Sequence, residues 1–335
     1  MKITDLYNIL PLALKKNRNI LLVGAPGVGK SDVIGDIVTN VVQYELMICH
    51  PVVSNPIDYK GLPVSGMVDG KLTADFIPYG DLNKMITAEK ELVVFFDDLG
   101  QAPVSVQAAV MQIILAREIN GKKISKFVRF MAATNDRSHN AGVSGLITPL
   151  LSRFACIINI EVDADSWINW AMTHNMPPEL CAYIRAKPEM LSTFNSNKSI
   201  ENFACPRTIA NLGEWINDNI TSFEVWKGTV GELFAVEFMA FYKICQSIAK
   251  LPAEIIANPN LATIPDKPDV LYFVLTALAN KAKDEKSFEN ILIYLKRLPK
   301  EYEAFSVKLT VIKNPKMKET NSYIHWHVHN QDVVV

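Results

Sequence analysis

Charge of one sign is missing from this chain. Lys and Arg number 34 against 35 Asp and Glu, a formal net charge of −1, which excludes a surface built to coat a polyanion. Cysteine is sparse. Cys49, Cys156, Cys181, Cys205 and Cys245 are odd in number, widely spaced and mostly set among apolar residues. They give neither a disulfide frame nor a zinc site, and they read as buried thiols of a reducing compartment. No apolar run approaches the length of a membrane span, and Met1-Lys-Ile-Thr-Asp5 carries no signal-peptide pattern. Internal repeats and low-complexity tracts are also missing. The expectation is a soluble cytoplasmic protein which, at 335 residues, holds two or three domains.

What is there is Gly24-Ala-Pro-Gly-Val-Gly-Lys30-Ser31, a complete G-x-x-x-x-G-K-S. The apolar run Asn19-Ile-Leu-Leu-Val23 precedes it and a helix-compatible segment follows from Asp32. A buried strand feeding a glycine turn into a helix N-terminus leaves several backbone N–H groups pointing at one spot. Those donors and the positive end of the helix dipole suit a polyphosphate. The loop must wrap phosphate with backbone angles that a side chain forbids, hence its glycines. Lys30 is placed to reach the outer phosphates, and Ser31 to offer its hydroxyl to Mg2+. The whole stretch Gly24, Ala25, Pro26, Gly27, Val28, Gly29, Lys30, Ser31, with Asp32 at the helix start, is the candidate nucleotide cradle.

Along the chain, Leu6, Ile9, Leu10, Ala13 and Leu14 share a helical face over 4–16, with Thr4 or Asp5 as cap. Val33, Ile34, Ile37, Val38 and Val41 repeat with helical spacing after the loop. Glu45-Leu-Met-Ile-Cys49 is a second strand, followed by a polar, proline-rich loop that holds His50 and Asp58-Tyr-Lys60. Alternation around Asp69-Gly70 signals a hairpin, as does Asn120-Gly121. A helix is expected over 81–91 and another after Pro103 through Val106, Ala109, Val110, Ile113 and Ile114. Leu92-Val-Val-Phe-Phe96, Val128 to Thr134 and Cys156-Ile-Ile-Asn-Ile160 are the third, fourth and fifth strands. Five apolar strands alternating with helices predict an α/β fold with a parallel sheet covered on both faces. From Asp163 onward strand signals fade and two helical parts follow, one containing Pro206-Arg207 and a longer one from about Thr229.

Hydrolysis of a nucleotide needs a metal acid, an oriented water and a cation for the transition-state charge. In an open parallel sheet these collect at the carboxyl ends of the strands. Asp97 ends a run of apolar residues, the Walker B pattern for an acid that serves Mg2+; Asp98 beside it is a candidate to polarise the attacking water. Read alone, the pair has a strand-ending turn or helix cap as its lesser alternative. Asn135 closes the fourth strand and offers an amide to water or phosphate, although asparagine there is also an ordinary turn residue. Arg153 lies between an apolar helix end and the fifth strand, where a surface ion pair is the plain alternative. Arg207 follows Pro206 at a helix start, where a basic residue gains nothing from the dipole and an anion would be its natural partner.

Taken in order, Gly24 to Ser31, Phe95-Phe96-Asp97-Asp98, Ala133-Thr134-Asn135, Leu150-Leu-Ser-Arg153-Phe154 and Pro206-Arg207 resemble an AAA+ ATPase, most closely its MoxR-type branch. Asp97-Asp-Leu-Gly-Gln-Ala-Pro103-Val-Ser-Val-Gln107-Ala is similar to that branch's acid pair, short loop and following helix. The two hairpins fall where the branch carries its helix-two insert and pre-sensor hairpin. The resemblance covers roughly residues 1–225; beyond it, Gly228-Thr-Val-Gly-Glu-Leu-Phe is merely similar to a helical extension of some bacterial and phage relatives.

This resemblance implies a P-loop NTPase core over 1–162, an α-helical lid over 163–225 and a helical C-terminal extension over 226–335. It implies ATP and Mg2+ as cofactors: Lys30 and Ser31 on phosphate and metal, Asp97 as metal acid, Asp98 as catalytic carboxylate, Asn135 as sensor one. Arg153 becomes the finger offered to a neighbouring subunit's nucleotide, and Arg207 sensor two on the lid. A homo-oligomeric ring, commonly a hexamer, follows, together with a protein client, for which relatives often use a von Willebrand A domain protein. The family usually has glutamate where this chain has Asp98, one methylene shorter, which points to slow hydrolysis. Two further readings stand beside the remodelling ring: a nucleotide-gated binding module with little turnover, and a nucleic-acid motor. Balanced charge and the lack of a basic patch interleaved with aromatics argue against the last.

Other conspicuous residues carry less. His325-Trp-His327-Val-His329, read as a strand, would place three imidazoles on one face as a zinc or nickel site, against the plainer reading of a polar tail. Trp167, Trp170 and Met172 are spaced as the core face of a helix. Lys122-Lys123 is a solvated hairpin tip or a pore loop. His50 and Asp58 to Lys60 belong to a structural loop or touch substrate.

Overall fold

Residues 19–24 are apolar except at their ends, and in the computed structural model Ile20–Gly24 form an inner strand of a sheet. The structure describes residues 1–68, 71–136, 145–194 and 201–330. The chain divides into two compact units, Met1–Glu161 and Val162–Val335.

Among its described residues the first unit carries nine strands: β1 (Ile20–Gly24), β2 (Glu45–Cys49), β3 (Leu62–Val68), β4 (Lys71–Ile77), β5 (Leu92–Phe96), β6 (Glu118–Ile119), β7 (Lys122–Lys123), β8 (Val128–Asn135) and β9 (Cys156–Asn159). Its helices are α1 (Ile3–Lys15), α2 (Lys30–Asp36), α3 (Pro56–Lys60), α4 (Gly80–Thr87), α5 (Val104–Ala116) and α6 (Thr148–Leu151). Five strands form one sheet in the order β2-β5-β8-β1-β9, and every pairing in it is parallel. All five residues of β5 are buried, whereas the edge strands are partly exposed: β2 exposes Glu45 and Ile48, and β9 buries only Ile158. Side chains alternate across a strand. Val94 and Phe96 pack with Phe130 and with Val106, Val110 and Ile113 of α5, and the Phe96 and Phe130 rings stack at 5.9 Å. Val93, Phe95, Met131 and Ala133, of opposite parity, are equally buried, so both faces of the sheet are covered. This is the five-stranded parallel α/β sheet read from the five apolar runs.

The hairpins lie off the sheet. β3 pairs with β4 antiparallel, Val68 opposite Lys71; the Asp69-Gly70 turn itself lies outside the described residues. β6 pairs with β7 around Asn120 and Gly121, both at positive φ, as an Asn-Gly two-residue turn requires.

Several local expectations need correcting. α1 starts at Ile3 with Lys2 as its cap, and the Asp5 carboxylate accepts from the Lys2 N–H at 3.2 Å instead of capping the helix itself. The segment around Asp58 is not a loop: Pro56 starts α3, Asn55 and Asp58 close a capping box, and Tyr59 is buried. The helix expected over 81–91 spans Gly80–Thr87, because Glu91 is drawn to Arg129 at 2.8 Å beside the start of β5. Val41 is 49% exposed, not core. The helix that holds it widens into a π turn at Ile37–Val41, which shifts the apolar spacing.

The second unit holds α7 (Ala164–Thr173), α8 (Pro178–Ala186), α9 (Pro206–Asn217), α10 (Phe223–Val230), α11 (Glu232–Ser247), α12 (Leu251–Ala257), α13 (Pro268–Lys281), α14 (Glu285–Leu295), α15 (Lys300–Lys313) and α16 (Asn321–His329). Its described residues contain no strand. One hydrophobic cluster runs from Trp167 to Trp326. At its centre Trp226 lies 5.4 Å from Phe238, and Tyr183 lies 5.2 Å from Phe234. Trp167 and Met172 are buried in that core, but Trp170 is 38% exposed and stacks on His174. The terminal histidines are not on a strand or in a polar tail. They belong to α16, whose Trp326 is buried and donates to Glu303 at 2.7 Å.

All five cysteines are free; four are buried and Cys156, on edge strand β9, is exposed. No helix among the described residues is long and apolar enough to cross a membrane.

Candidate nucleotide site

The loop after β1 has the backbone its glycines make available. Gly27 and Gly29 sit at φ 74° and 96°, a region that L side chains rarely adopt. At Gly24 a methyl group would stand 3.3 Å from the Ile160 carbonyl oxygen and the Val28 side chain, so this position is small for close packing. α2 begins at Lys30 and runs on through the π turn Ile37–Val41. The helical dipole behind the loop is therefore longer than seven residues. Val28 is buried, and Asp32 is exposed in the first turn of α2.

Lys30 is 6% exposed. Its ammonium donates to the Gly24 and Ala25 carbonyl oxygens at 3.1 and 3.0 Å and to Asn135 Oδ1 at 2.8 Å. The other end of the Asn135 amide donates to Asp98 Oδ1 at 3.2 Å. With an ammonium on one side and a carboxylate on the other, only one orientation of that amide fits. Asn135 thereby joins the cation of the loop to the second acid. The first acid is held separately: Ser31 Oγ donates to Asp97 Oδ2 at 2.6 Å, and the Asp98 N–H donates to Asp97 Oδ1 at 3.0 Å.

The sheet register explains the convergence. Gly24 lies opposite Asn135, so β1 and β8 end together, and Phe96 lies opposite Ala132, so Asp97 and Asp98 leave β5 alongside the last residues of β8. Asp97 is fixed at the end of β5 by its N–H bond to the Cys49 carbonyl at 3.0 Å. Asp98 has φ 52°, a left-handed conformation that Asp tolerates better than most residues. That conformation turns the chain into the 3-10 turn Leu99–Gln101.

Arg153 makes none of these hydrogen bonds. Arg153 follows α6, is half-buried and donates from Nη1 to its neighbour Ser152 Oγ at 2.6 Å, while its Nε is buried without a partner. Arg207 belongs to the helical unit, where it is exposed in the first turn of α9.

One positioning residue lacks a role in the sequence reading. Gln107 is fully buried in α5. Its amide nitrogen donates to the Ala102 and Gly145 carbonyl oxygens, both at 3.0 Å, and its Oε1 accepts from the Ile147 N–H at 2.9 Å. It ties the segment after the acid pair to the segment before α6. Its signal is a lone amide on an otherwise apolar helix face, among Val106, Val110 and Ile113.

The donor set fits a magnesium nucleotide. A hydroxyl and a carboxylate, Ser31 and Asp97, are hard oxygen ligands at one point, and the ammonium and glycine loop beside them suit phosphate.

No family model and no curated protein matches the chain. Among solved structures it is similar to RuvB from Thermotoga maritima, a Holliday junction branch migration motor. The identity is 17% over 88% of this chain and 86% of that one, with a TM-score of 0.41. It is also similar to NtrX from Brucella abortus, solved in complex with ADP, 14% identical over 98% of this chain and 68% of that one, with a TM-score of 0.35. Likenesses of this size carry no residue roles and no activity across.

Proposed function

We propose that this chain is an AAA+ ATPase of the MoxR type, with its nucleotide core over 1–162, a lid over 163–225 and a helical extension over 226–335. The observation that carries the reading is the joined network in which Lys30 meets Asp98 through Asn135 while Ser31 meets Asp97. A turn or a helix cap has no use for a buried lysine, two acids and an asparagine gathered from three strand ends beside a glycine loop.

In this reading Gly27, Gly29 and the start of α2 hold the phosphates, and Lys30 leaves its carbonyl partners for the outer phosphate oxygens. Ser31 and Asp97 hold Mg2+, which supplies positive charge to the phosphate oxygens when bound. Asp98 takes the proton of the attacking water, and Asn135 orients that water or the terminal phosphate. Arg153, with its Nε unsatisfied within its own chain, serves the nucleotide of the neighbouring copy in a ring, commonly of six. Arg207 serves from the lid. The work done is remodelling or activation of a protein client, for which a von Willebrand A domain protein is the first candidate.

Protomer mixing tests this. Lys30→Ala and Arg153→Ala chains, each strongly impaired alone, should regain part of the Mg-ATP turnover when mixed, because half-sites complement each other. Absence of turnover in the unaltered chain, or normal turnover by Arg153→Ala alone, overturns the shared-site reading.

A further inference from the structure

The helical state of residues 321–329 gives the terminal histidines a different geometry from a strand. On a helix, residues four apart stand one above the other, and residues two apart point to opposite sides. His325 and His329 are both exposed, and their rings stack with centroids 4.3 Å apart. His327 is turned away. It stacks on Tyr323 at 5.7 Å and has its Nδ1 buried without a partner. The three imidazoles thus sort into a pair and a single.

The pair is also oriented. His329 Nδ1 lies 2.8 Å from the His325 carbonyl oxygen. A carbonyl only accepts, so Nδ1 carries the proton and Nε2 keeps its lone pair for another partner. A ring nitrogen fixed on a backbone carbonyl, leaving the other free to ligate, is the arrangement that orients metal-binding histidines. Two imidazole nitrogens sharing one ion, each about 2.0–2.1 Å from it, must lie within about 4 Å of each other. Stacked rings at the observed spacing reach that with small side-chain rotations. The helix is held from beneath: Trp326 donates to Glu303 at 2.7 Å, and the Ser322 hydroxyl donates to Glu289 at 3.2 Å.

We propose that His325 and His329 form a two-imidazole chelate for a divalent transition metal on the exposed face of α16. Among the described residues no third His, Cys, Asp or Glu joins them in a metal-binding group, so water fills the remaining positions. Imidazole donors suit Cu2+, Ni2+ and Zn2+, in that order of affinity for the first two, and do not suit Mg2+. A metal there links the last two turns of α16 and slows their fraying.

The test is titration of the full chain with Cu2+, Ni2+ and Mg2+, followed by Trp326 fluorescence, by Cu2+ electron paramagnetic resonance and by amide exchange. Saturable binding of one Cu2+ with nitrogen coordination, quenching of Trp326 and slowed exchange confined to α16 are expected. His329→Ala and His325→Ala should each weaken binding at least about tenfold, and His327→Ala should leave it unchanged. Acidification should release the metal, because protonated imidazole has no lone pair to give. Equal binding by His329→Ala and the unaltered chain overturns the proposal, and so does exchange slowed elsewhere but not in α16. A loss of binding with His327→Ala as large as with His329→Ala would also overturn it.

Discussion

The two units bury their residues by different rules. In Met1–Glu161 a sheet crosses the interior, and at the ends of β1, β5 and β8 polar side chains are drawn inward: Lys30 and Asn135 are 6% and 8% exposed. In Val162–Val335 helices close around aromatic rings, and Trp226, Phe234, Phe238 and Tyr294 are fully buried. A sheet ends all its strands at one edge, so side chains far apart in sequence meet there. The helical unit also buries polar side chains, but singly and within its packing: Thr276, Ser306 and Thr310 bond to backbone carbonyls of their own bundle, and Glu303 accepts from Trp326. The first unit thus gathers polar side chains at one sheet edge while the second is dominated by ring packing, and variants in each should separate the two.

The largest effect expected is on stability, in the helical unit. Trp226 touches Phe238 and Tyr242 and donates its indole N–H to the Ile220 carbonyl at 2.9 Å. Trp226→Ala should cost about 3–5 kcal/mol, read as a shift of the denaturant midpoint. A loss below about 1 kcal/mol would mean that the ring cluster relaxes to fill the space, and the contrast between the units would weaken.

Next comes Lys30→Ala in the sheet unit. Turnover of Mg-ATP should fall about 10²–10³-fold, as when one preorganised donor is lost from a transition state. The midpoint should move less than with Trp226→Ala. If Lys30→Ala unfolds the chain as severely as the tryptophan variant, Lys30 is a structural lysine and the site reading fails.

Legibility in the sequence follows the same division. The five sheet strands were readable because each is a short apolar run bounded by turn residues; Asp97 follows from being the first polar residue past such a run, and Asn135 from closing the strand Val128–Asn135. Helix starts were less readable: Lys2, not Thr4 or Asp5, precedes α1, because the Asp5 carboxylate bonds back to the Lys2 N–H. Gln107 was opaque for another reason. Its three partners, Ala102, Gly145 and Ile147, are backbone groups, and backbone groups leave no mark in a sequence. The helical unit could be read only as helical. Which faces meet depends on ring packing among Tyr183, Trp226 and Phe238, and apolar periodicity does not specify partners. The histidines of α16 show the limit most plainly, since a run of alternating residues near a chain end fits strand and helix alike.

A smaller effect sharpens the difference between binding and turnover within the sheet unit. Asp98 accepts from Asn135 at 3.2 Å from a left-handed backbone, and its side chain is one methylene shorter than glutamate. If that length limits proton transfer from water, Asp98→Glu should raise turnover about tenfold with little change in nucleotide affinity. Unchanged turnover would count against slow chemistry at this position and against the gated-module reading it supports.

The smallest effect concerns one titratable side chain in the interior of the helical unit. Glu179, in the first turn of α8, is 8% exposed and accepts from the Gln246 side-chain amide at 3.0 Å. Burial holds its carboxyl above the usual range, and the bonds from its own backbone N–H and from Gln246 oppose this only in part. The folded state therefore favours the protonated acid. Its contribution to stability is complete below the unfolded carboxyl's titration and is lost as pH rises through the folded one. At neutral pH Glu179 should thus be a net cost. Glu179→Gln keeps an oxygen for Gln246 and removes the titration, so it should raise the thermal midpoint by about 1–3 °C at pH 7, with the gain vanishing as the pH approaches 4. A gain that does not depend on pH would reflect packing alone. A variant less stable than the unaltered chain at pH 7 would show that the ionised carboxylate is wanted there, and that the helical unit keeps a polar site of its own.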